Sequence, residues 1–163
     1  MKNLTRIICL TLVVLLGSTG TSWGADYQKG LAAHQSGDFA TALREWKPLA
    51  EQGYVYAQSN LGQMYHNGEG VLQNYKTAFK WYTLAAEQGH VSAQYNLGVM
   101  YFQGEGVPQD NIYAHMWFNI AASNGDEDGG KWRDAVAEQM NTRQINKAQD
   151  LARECVAKKY KGC

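Results

Sequence analysis

Four histidines, His34, His66, His90 and His115, are the side chains best suited to acid–base or metal chemistry near neutral pH. They are scattered along the chain, and no His-Glu-x-x-His pattern places two of them on one helix face for zinc. No serine is followed three residues later by lysine, the pairing that activates one class of serine nucleophile, and no Gly-x-Ser-x-Gly elbow occurs. Gly68-x-Gly70 lacks the third glycine and the preceding strand of a dinucleotide site. Asp126-Glu127-Asp128-Gly129 has the opening of a calcium loop, yet Lys131 stands where the loop glycine belongs and Ala137 where the bidentate glutamate belongs. A solvated turn with a helix N-cap is the better reading of that segment. The residues therefore point to no catalytic group, no metal and no cofactor.

Cys155 and Cys163 are eight residues apart near the C-terminus. In an oxidising compartment such an even pair reads as a disulfide. Eight residues of straight helix span about 12 Å, too far to bridge, but a helix ending near Tyr160 with Gly162 beyond it lets the chain fold back. Closing so short a loop contributes roughly 2–3 kcal/mol. Two free thiols or a metal site are the alternatives; the spacing fits no usual zinc pattern, and no histidine lies beyond His115.

The compartment is indicated by the other end. Lys2 and Arg6 precede an apolar run from Ile7 to Leu16, followed by small and polar residues to Ala25. This is the layout of a cleavable signal peptide over residues 1–24, with Ser22 and Gly24 at the −3 and −1 sites. A retained anchor helix is the alternative, although the run is shorter than the roughly 20 residues of a membrane span. Cleavage removes Cys9 and leaves 13 basic against 15 acidic residues. That balance gives no electrostatic case for nucleic acid. No second apolar stretch follows, so no membrane insertion is expected after cleavage, and the mature protein is expected to be periplasmic or secreted.

What positions the remaining side chains is a repeat. Ala57-Gln58-Ser59-Asn60-Leu61-Gly62-Gln63-Met64-Tyr65 is echoed 36 residues later by Ala93-Gln94-Tyr95-Asn96-Leu97-Gly98-Val99-Met100-Tyr101. Gly68-Glu69-Gly70-Val71, Trp81-Tyr82 and Glu87-Gln88-Gly89 keep the same period with their counterparts, and Ala42, Ala78 and Ala114 hold the register. A period of this length marks stacked supersecondary units. Ala57, Leu61, Gly62 and Tyr65 share one face of a first helix, which Gly68 or Gly70 ends as a left-handed cap. Gly62 and Gly98 cost helix stability, which suggests that a side chain there would hold two helices apart. A second helix starts near Asn74, an N-cap type, carries Ala78, Trp81, Tyr82 and Ala85 inward, and closes at Gly89. Outward, Asp26 to Ser36 forms a short helix, and Asp38 caps another that reaches Gln52 with a bend at Pro48. Asp128–Met140 and Thr142–Tyr160 form two more. About eight helices in four antiparallel pairs follow, with terminal units that present polar faces to water.

The run Ala-Gln-x-Asn-Leu-Gly-x-Met-Tyr-x-x-Gly-x-Gly-Val, at 57–71 and 93–107, resembles the Sel-1-like repeat, as do Ala78, Trp81-Tyr82 and Ala85-Ala86-Glu87-Gln88-Gly89. The resemblance implies an all-α, right-handed α/α superhelical solenoid of about four hairpins, related to tetratricopeptide arrays. It divides the chain into capping half-repeats at 25–54, repeats at 55–90 and 91–126, and C-terminal capping helices with the disulfide at 127–163. It also implies an adaptor or scaffold for another protein. Cysteine-rich relatives carry a pair with the spacing of Cys155 and Cys163, and for some of them a β-lactamase-like or penicillin-binding activity has been described. That activity, and a structural module of an envelope assembly, are the alternatives to an adaptor.

In tetratricopeptide folds the first helix of each pair lines a concave groove. Mapping the consensus onto that pattern assigns Tyr56, Ser59, Gln63, His66 and Asn67, then Ser92, Tyr95, Val99, Phe102 and Gln103, to contact with a peptide or protein partner. Tyr27, Leu31 and His34 extend the set. Aromatic side chains supply contact area and amides hydrogen-bond a backbone. Packing of Tyr95 and Phe102 against the neighbouring unit is the competing reading. Tyr65, Tyr101, Trp81 and Trp117 are expected in the core.

Overall fold

Local sequence signals set the helix ends. In the computed structural model, which describes residues 24–163, Asp26, Asp38, Asn74, Asp110, Asp126 and Asn141 each cap a helix by accepting backbone N–H bonds. The proposed leader lies outside the described residues, apart from Gly24. The helices are α1 (Tyr27–Gln35), α2 (Phe39–Glu51), α3 (Val55–Asn67), α4 (Tyr75–Ala86), α5 (Val91–Gln103), α6 (Asn111–Ser123), α7 (Glu127–Ala137) and α8 (Thr142–Ala157). No strand occurs among the described residues. Pro48 lies inside α2, which continues through it.

The first three hairpins, α1–α2, α3–α4 and α5–α6, are antiparallel pairs stacked in sequence, α2 on α3 and α4 on α5. Within each hairpin a glycine on the first helix receives an aromatic ring from the second: Gly30 meets Trp46, Gly62 meets Tyr82 and Gly98 meets Phe118. A methyl group on Gly62 or Gly98 would lie 2.6 Å from the ring, closer than carbon atoms approach. The helical glycines thus set the interhelical distance. Ala42, Trp46, Ala57, Leu61 and Met64 form one apolar cluster, and Ala78, Tyr82, Leu97, Met100, Trp117 and Ile120 form the next. Trp81, Tyr65 and Tyr101 pack at the edges of these clusters, partly buried.

The Gly-Glu-Gly loops join one hairpin to the one before it. Gly68 and Gly104 are left-handed caps. Gly106 brings the loop backbone so close to α4 that a Cβ would sit 2.5 Å from the Tyr75 carbonyl oxygen. Between the glycines, Glu69 Oε2 lies 2.8 Å from His34 Nε2 and Glu105 Oε2 lies 2.7 Å from His66 Nε2. The glutamine of each Ala-Gln pair braces the same boundary from inside. Gln58 Nε2 donates to the Ala50 carbonyl, and Gln94 Nε2 to that of Ala86.

The expected fourth pair differs from the other three. Both α7 and α8 dock on α6, and they scarcely touch each other. Gly129 allows the close approach of α7, since a Cβ there would meet Ala122 N and Phe118 O at 3.0 Å. On α8, Ala152 and Cys155 join the cluster of Met116 and Ile120 instead. The Cys155–Cys163 disulfide, with Cα atoms 5.5 Å apart, folds the last residues back. There Gly162 N donates to Glu87 Oε1 and the Tyr160 hydroxyl bonds with the Asn124 side-chain amide.

Candidate functional site

The stacking decides which helix faces lie inside. Among non-consecutive helices of the hairpins, α3 packs on α5, whereas the second helices α2, α4 and α6 make no comparable contact with one another. The side that carries the first helices α1, α3 and α5 is called the inner side below, and the side that carries α2, α4 and α6 the outer side. The aligned glycines Gly30, Gly62 and Gly98 fix the register between first helices. They place Gln28, Asn60 and Asn96 in one row across the stack, Leu31, Gln63 and Val99 in a second, and Gln35, Asn67 and Gln103 in a third. All nine are exposed or half-exposed. Positions three, four and seven apart share one helix face, so each helix adds a single stripe.

Two rows consist of amides flanking a less polar middle row. Gln28, Gln35, Gln63, Asn96 and Gln103 make no side-chain hydrogen bond among the described residues, and their donors and acceptors face solvent. Asn60 Nδ2 donates to the Tyr27 hydroxyl at 3.3 Å, and Asn67 Nδ2 to Glu69 Oε1 at 2.9 Å. At the C-terminal side of the stack, Trp132 of α7 is 40% exposed and lies against Phe102 and Phe118.

The residues assigned to partner contact from sequence fall into three groups. Gln63, Asn67, Val99 and Gln103 lie on the inner stripes, and Tyr56 and Ser92 sit one turn before them, exposed at the N-terminal ends of α3 and α5. Ser59 is 7% exposed and offers a partner almost no surface. His66, Tyr95 and Phe102 are half-buried. His66 is engaged with Glu105 and Asn67, its two ring nitrogens each facing an oxygen. Tyr95 packs on Phe118 and Phe102 on Trp132. In the looser extension, Leu31 is on the middle row, His34 is tied to Glu69, and Tyr27 stacks with Trp46. Asn60 and Asn96, which the contact set drawn from the consensus leaves out, belong to the inner rows as well.

Electrostatically the inner face is quiet. Burial, and then the carboxylates of Asp128 and Asp126, push the Tyr95 phenol above its ordinary range. Burial pushes the Tyr101 phenol the same way and holds the His90 imidazole below its usual value. These groups are uncharged at neutral pH. A second exposed feature lies at the N-terminal ends of the first helices, where Tyr27, Tyr54, Tyr56 and His90 form a chain of ring contacts 5.2 to 6.1 Å apart. A shallow cavity of about 310 Å³ adjoins it, lined by Val55, Tyr56, Gln88, Gly89, His90, Val91 and Ser92. No group of three or more His, Cys, Asp or Glu side chains gathers into a metal site among the described residues. No helix among them is long and apolar enough to cross a membrane.

Residues 55–90 and 91–126 each match the Sel1 repeat. The chain is similar to a solved structure of a protective antigen from uropathogenic Escherichia coli strains that displays an SLR fold. The two share 29% identity with a TM-score of 0.77, over 80% of this chain and 29% of that one. It is also similar to a Sel1 repeat protein from Oxalobacter formigenes, with 31% identity and a TM-score of 0.62 over 68% of this chain and 33% of that one. The chain thus spans about a third of the length of these structures. No curated protein matches it. Sel1 repeats are in general protein-interaction modules, and their fold is typically a non-enzymatic scaffold. Two tandem units with their Gly-Glu-Gly loops, stacked as in these solenoids, make the chain a member of the Sel1-like repeat family.

Proposed function

We propose that this protein is an exported adaptor that binds a polypeptide partner along the inner face of its hairpin stack. The observation that carries this reading is the pair of amide rows, in which Gln28, Asn96, Gln35 and Gln103 keep donors and acceptors unused, while Asn60 and Asn67 between them are bonded to Tyr27, Glu69 and His66. A surface amide costs little when hydrated. Amides in the same positions of three hairpins, free on the first and third, offer hydrogen bonds to an extended main chain. Export is supported by the leader-like residues 1–24 and by the C-terminal disulfide, which belongs to an oxidising compartment.

The experiment is a crosslinking capture from the envelope fraction of the source bacterium, with wild-type protein and a Gln35→Ala, Asn96→Ala, Gln103→Ala variant compared side by side. All three positions are half-exposed or exposed, so the variant is expected to keep its helical circular-dichroism signal and its melting temperature. A partner held by wild type and lost by the folded variant is the expected result. Equal capture by both proteins would place the contact elsewhere. Tyr95 and Phe102 are poor choices for this purpose, because removing them strips the packing beneath Trp132 and Phe118.

A further inference from the structure

The inner face lacks charge as well as offering amides. Helices α3 and α5 contain no Asp, Glu, Lys or Arg over their whole lengths, and α1 contains only Lys29. Lys29 Nζ is bound to Glu45 Oε1 at 2.7 Å. At the loop edge of the face, Glu69 and Glu105 are each hydrogen-bonded to a histidine, and in the fourth unit Asp128 is paired with Lys131 at 2.7 Å. Two of the outer helices differ: α2 carries Arg44, Glu45, Lys47 and Glu51, and α4 carries Lys76 and Lys80, whereas α6 carries none. Lys29 aside, the helix charges of the first two hairpins thus sit on the outer side, the third hairpin's helices carry none, and the inner rows are neutral.

From this we infer that the inner face takes an extended, uncharged polypeptide stretch, holds it mainly by its main chain, and discriminates against charged stretches. The inference rests on the adaptor reading above and names the chemistry of the partner. A charged side chain brought against the rows would shed water and find no counter-charge, a penalty that the amides only partly offset. A main chain finds what it needs. Helices in contact lie about 8–10 Å apart, which is the span of about three extended residues at about 3.3 Å each. The free amides of α1 and α5 therefore meet the partner backbone about six residues apart on each side, and Asn60 and Asn67 of α3 meet it between them by exchanging their present bonds. The two amide rows are seven positions apart along each helix, or about 10 Å, enough for an extended chain to lie between them. In the middle row Gln63 is exposed to the partner's small side chains, with Leu31 and Val99 half-buried against the apolar clusters beside it, and Trp132 offers an aromatic stop at the end. Without ion pairs, the association is expected to be nearly indifferent to salt.

The test is selection from a displayed library of random 12-residue peptides on the full mature chain with its disulfide intact. The Gln35→Ala, Asn96→Ala, Gln103→Ala variant, checked for an unchanged melting temperature, serves for counter-selection. Expected are sequences that bind wild type at least tenfold more tightly than the variant. They should carry Asp, Glu, Lys and Arg at less than a third of the library frequency, and their Kd should shift less than twofold between 50 and 500 mM NaCl. Strip-dependent binders rich in one sign of charge and released by salt would overturn the uncharged-partner inference and leave the inner-face reading in place. Binders indifferent to the variant, or no binder that prefers wild type, would overturn the inner-face reading and the inference with it.

Discussion

His115 occupies a position that the other hairpins give to an apolar residue, Leu43 on α2 and Phe79 on α4. It is 3% exposed, and its Nδ1 has no hydrogen-bond partner; one turn earlier on α6, the Asn111 side-chain oxygen is equally unpartnered. Burial, and then the Arg133 charge, hold the imidazole below its usual value, so it stays neutral in the fold. In the unfolded chain the same group titrates near 6.5. Its contribution to stability is therefore complete above about pH 6.5 and is lost progressively as pH falls below it, since the unfolded state takes the proton first. Removing an unsatisfied buried polar group is worth about 1–3 kcal/mol. His115→Leu is expected to match or exceed wild-type stability at pH 7.5 and to exceed it clearly at pH 5. Thermal melts of both proteins across that range check this, and parallel pH curves would show that His115 does not titrate as described. That α6 carried an odd polar residue was legible in the repeat alignment; that its ring nitrogen has no partner was not, because partners come from other helices. The inner-row residues show a similar divide. Ser59 and Asn60 are neighbours in sequence but differ by about 100° around the helix, since a turn takes 3.6 residues. The contact set drawn from the consensus names Ser59 and omits Asn60, and only the register of Gly62 against Tyr82 rotates Asn60 to the inner face.

At the scale of elements, legibility followed the range of the interactions. The caps at Asn74 and Gly68 and the end of each hairpin depend on residues within a few positions, and they stand where the residue types place them. The docking of α7 and α8 depends on what α6 offers. Met116 and Ile120 face outward where α4 has Lys80 and Leu84 at the same period, and α8 covers them with Ala152 and Cys155. Periodicity cannot express that difference, so the last two helices read as one more hairpin. The tail beyond α8 is held by the disulfide, by Tyr160 at Asn124 and by Gly162 at Glu87. Reduction, or a Cys155→Ser, Cys163→Ser variant, is expected to lower unfolding stability by roughly 2–3 kcal/mol, the closure entropy of so short a loop. Urea unfolding with and without reductant measures it. The double variant should be insensitive to reductant, and a wild type equally insensitive would show that the bridge holds nothing the fold does not already hold.

At the scale of the whole molecule, each hairpin buries its apolar side only against its neighbours. Three hairpins and two docked helices are close to the fewest that can share a continuous core. The all-α stacked architecture was legible from the 36-residue period, because identical units that repeat Ala, Gly and aromatic positions must repeat their contacts. The sidedness of charge was not singled out from sequence, since it emerges only once the first helices are known to lie on one side. That sidedness also directs the test of the inner face in the assembled protein. A photo-crosslinking amino acid placed in turn at Gln63 and Gln103 on the inner rows, and at Lys80 and Leu84 on the outer face of α4, reports which side meets the partner inside the cell envelope. Adducts to one polypeptide from Gln63 and Gln103, with none from Lys80 or Leu84, are predicted; adducts confined to Lys80 and Leu84 would contradict binding along the inner face.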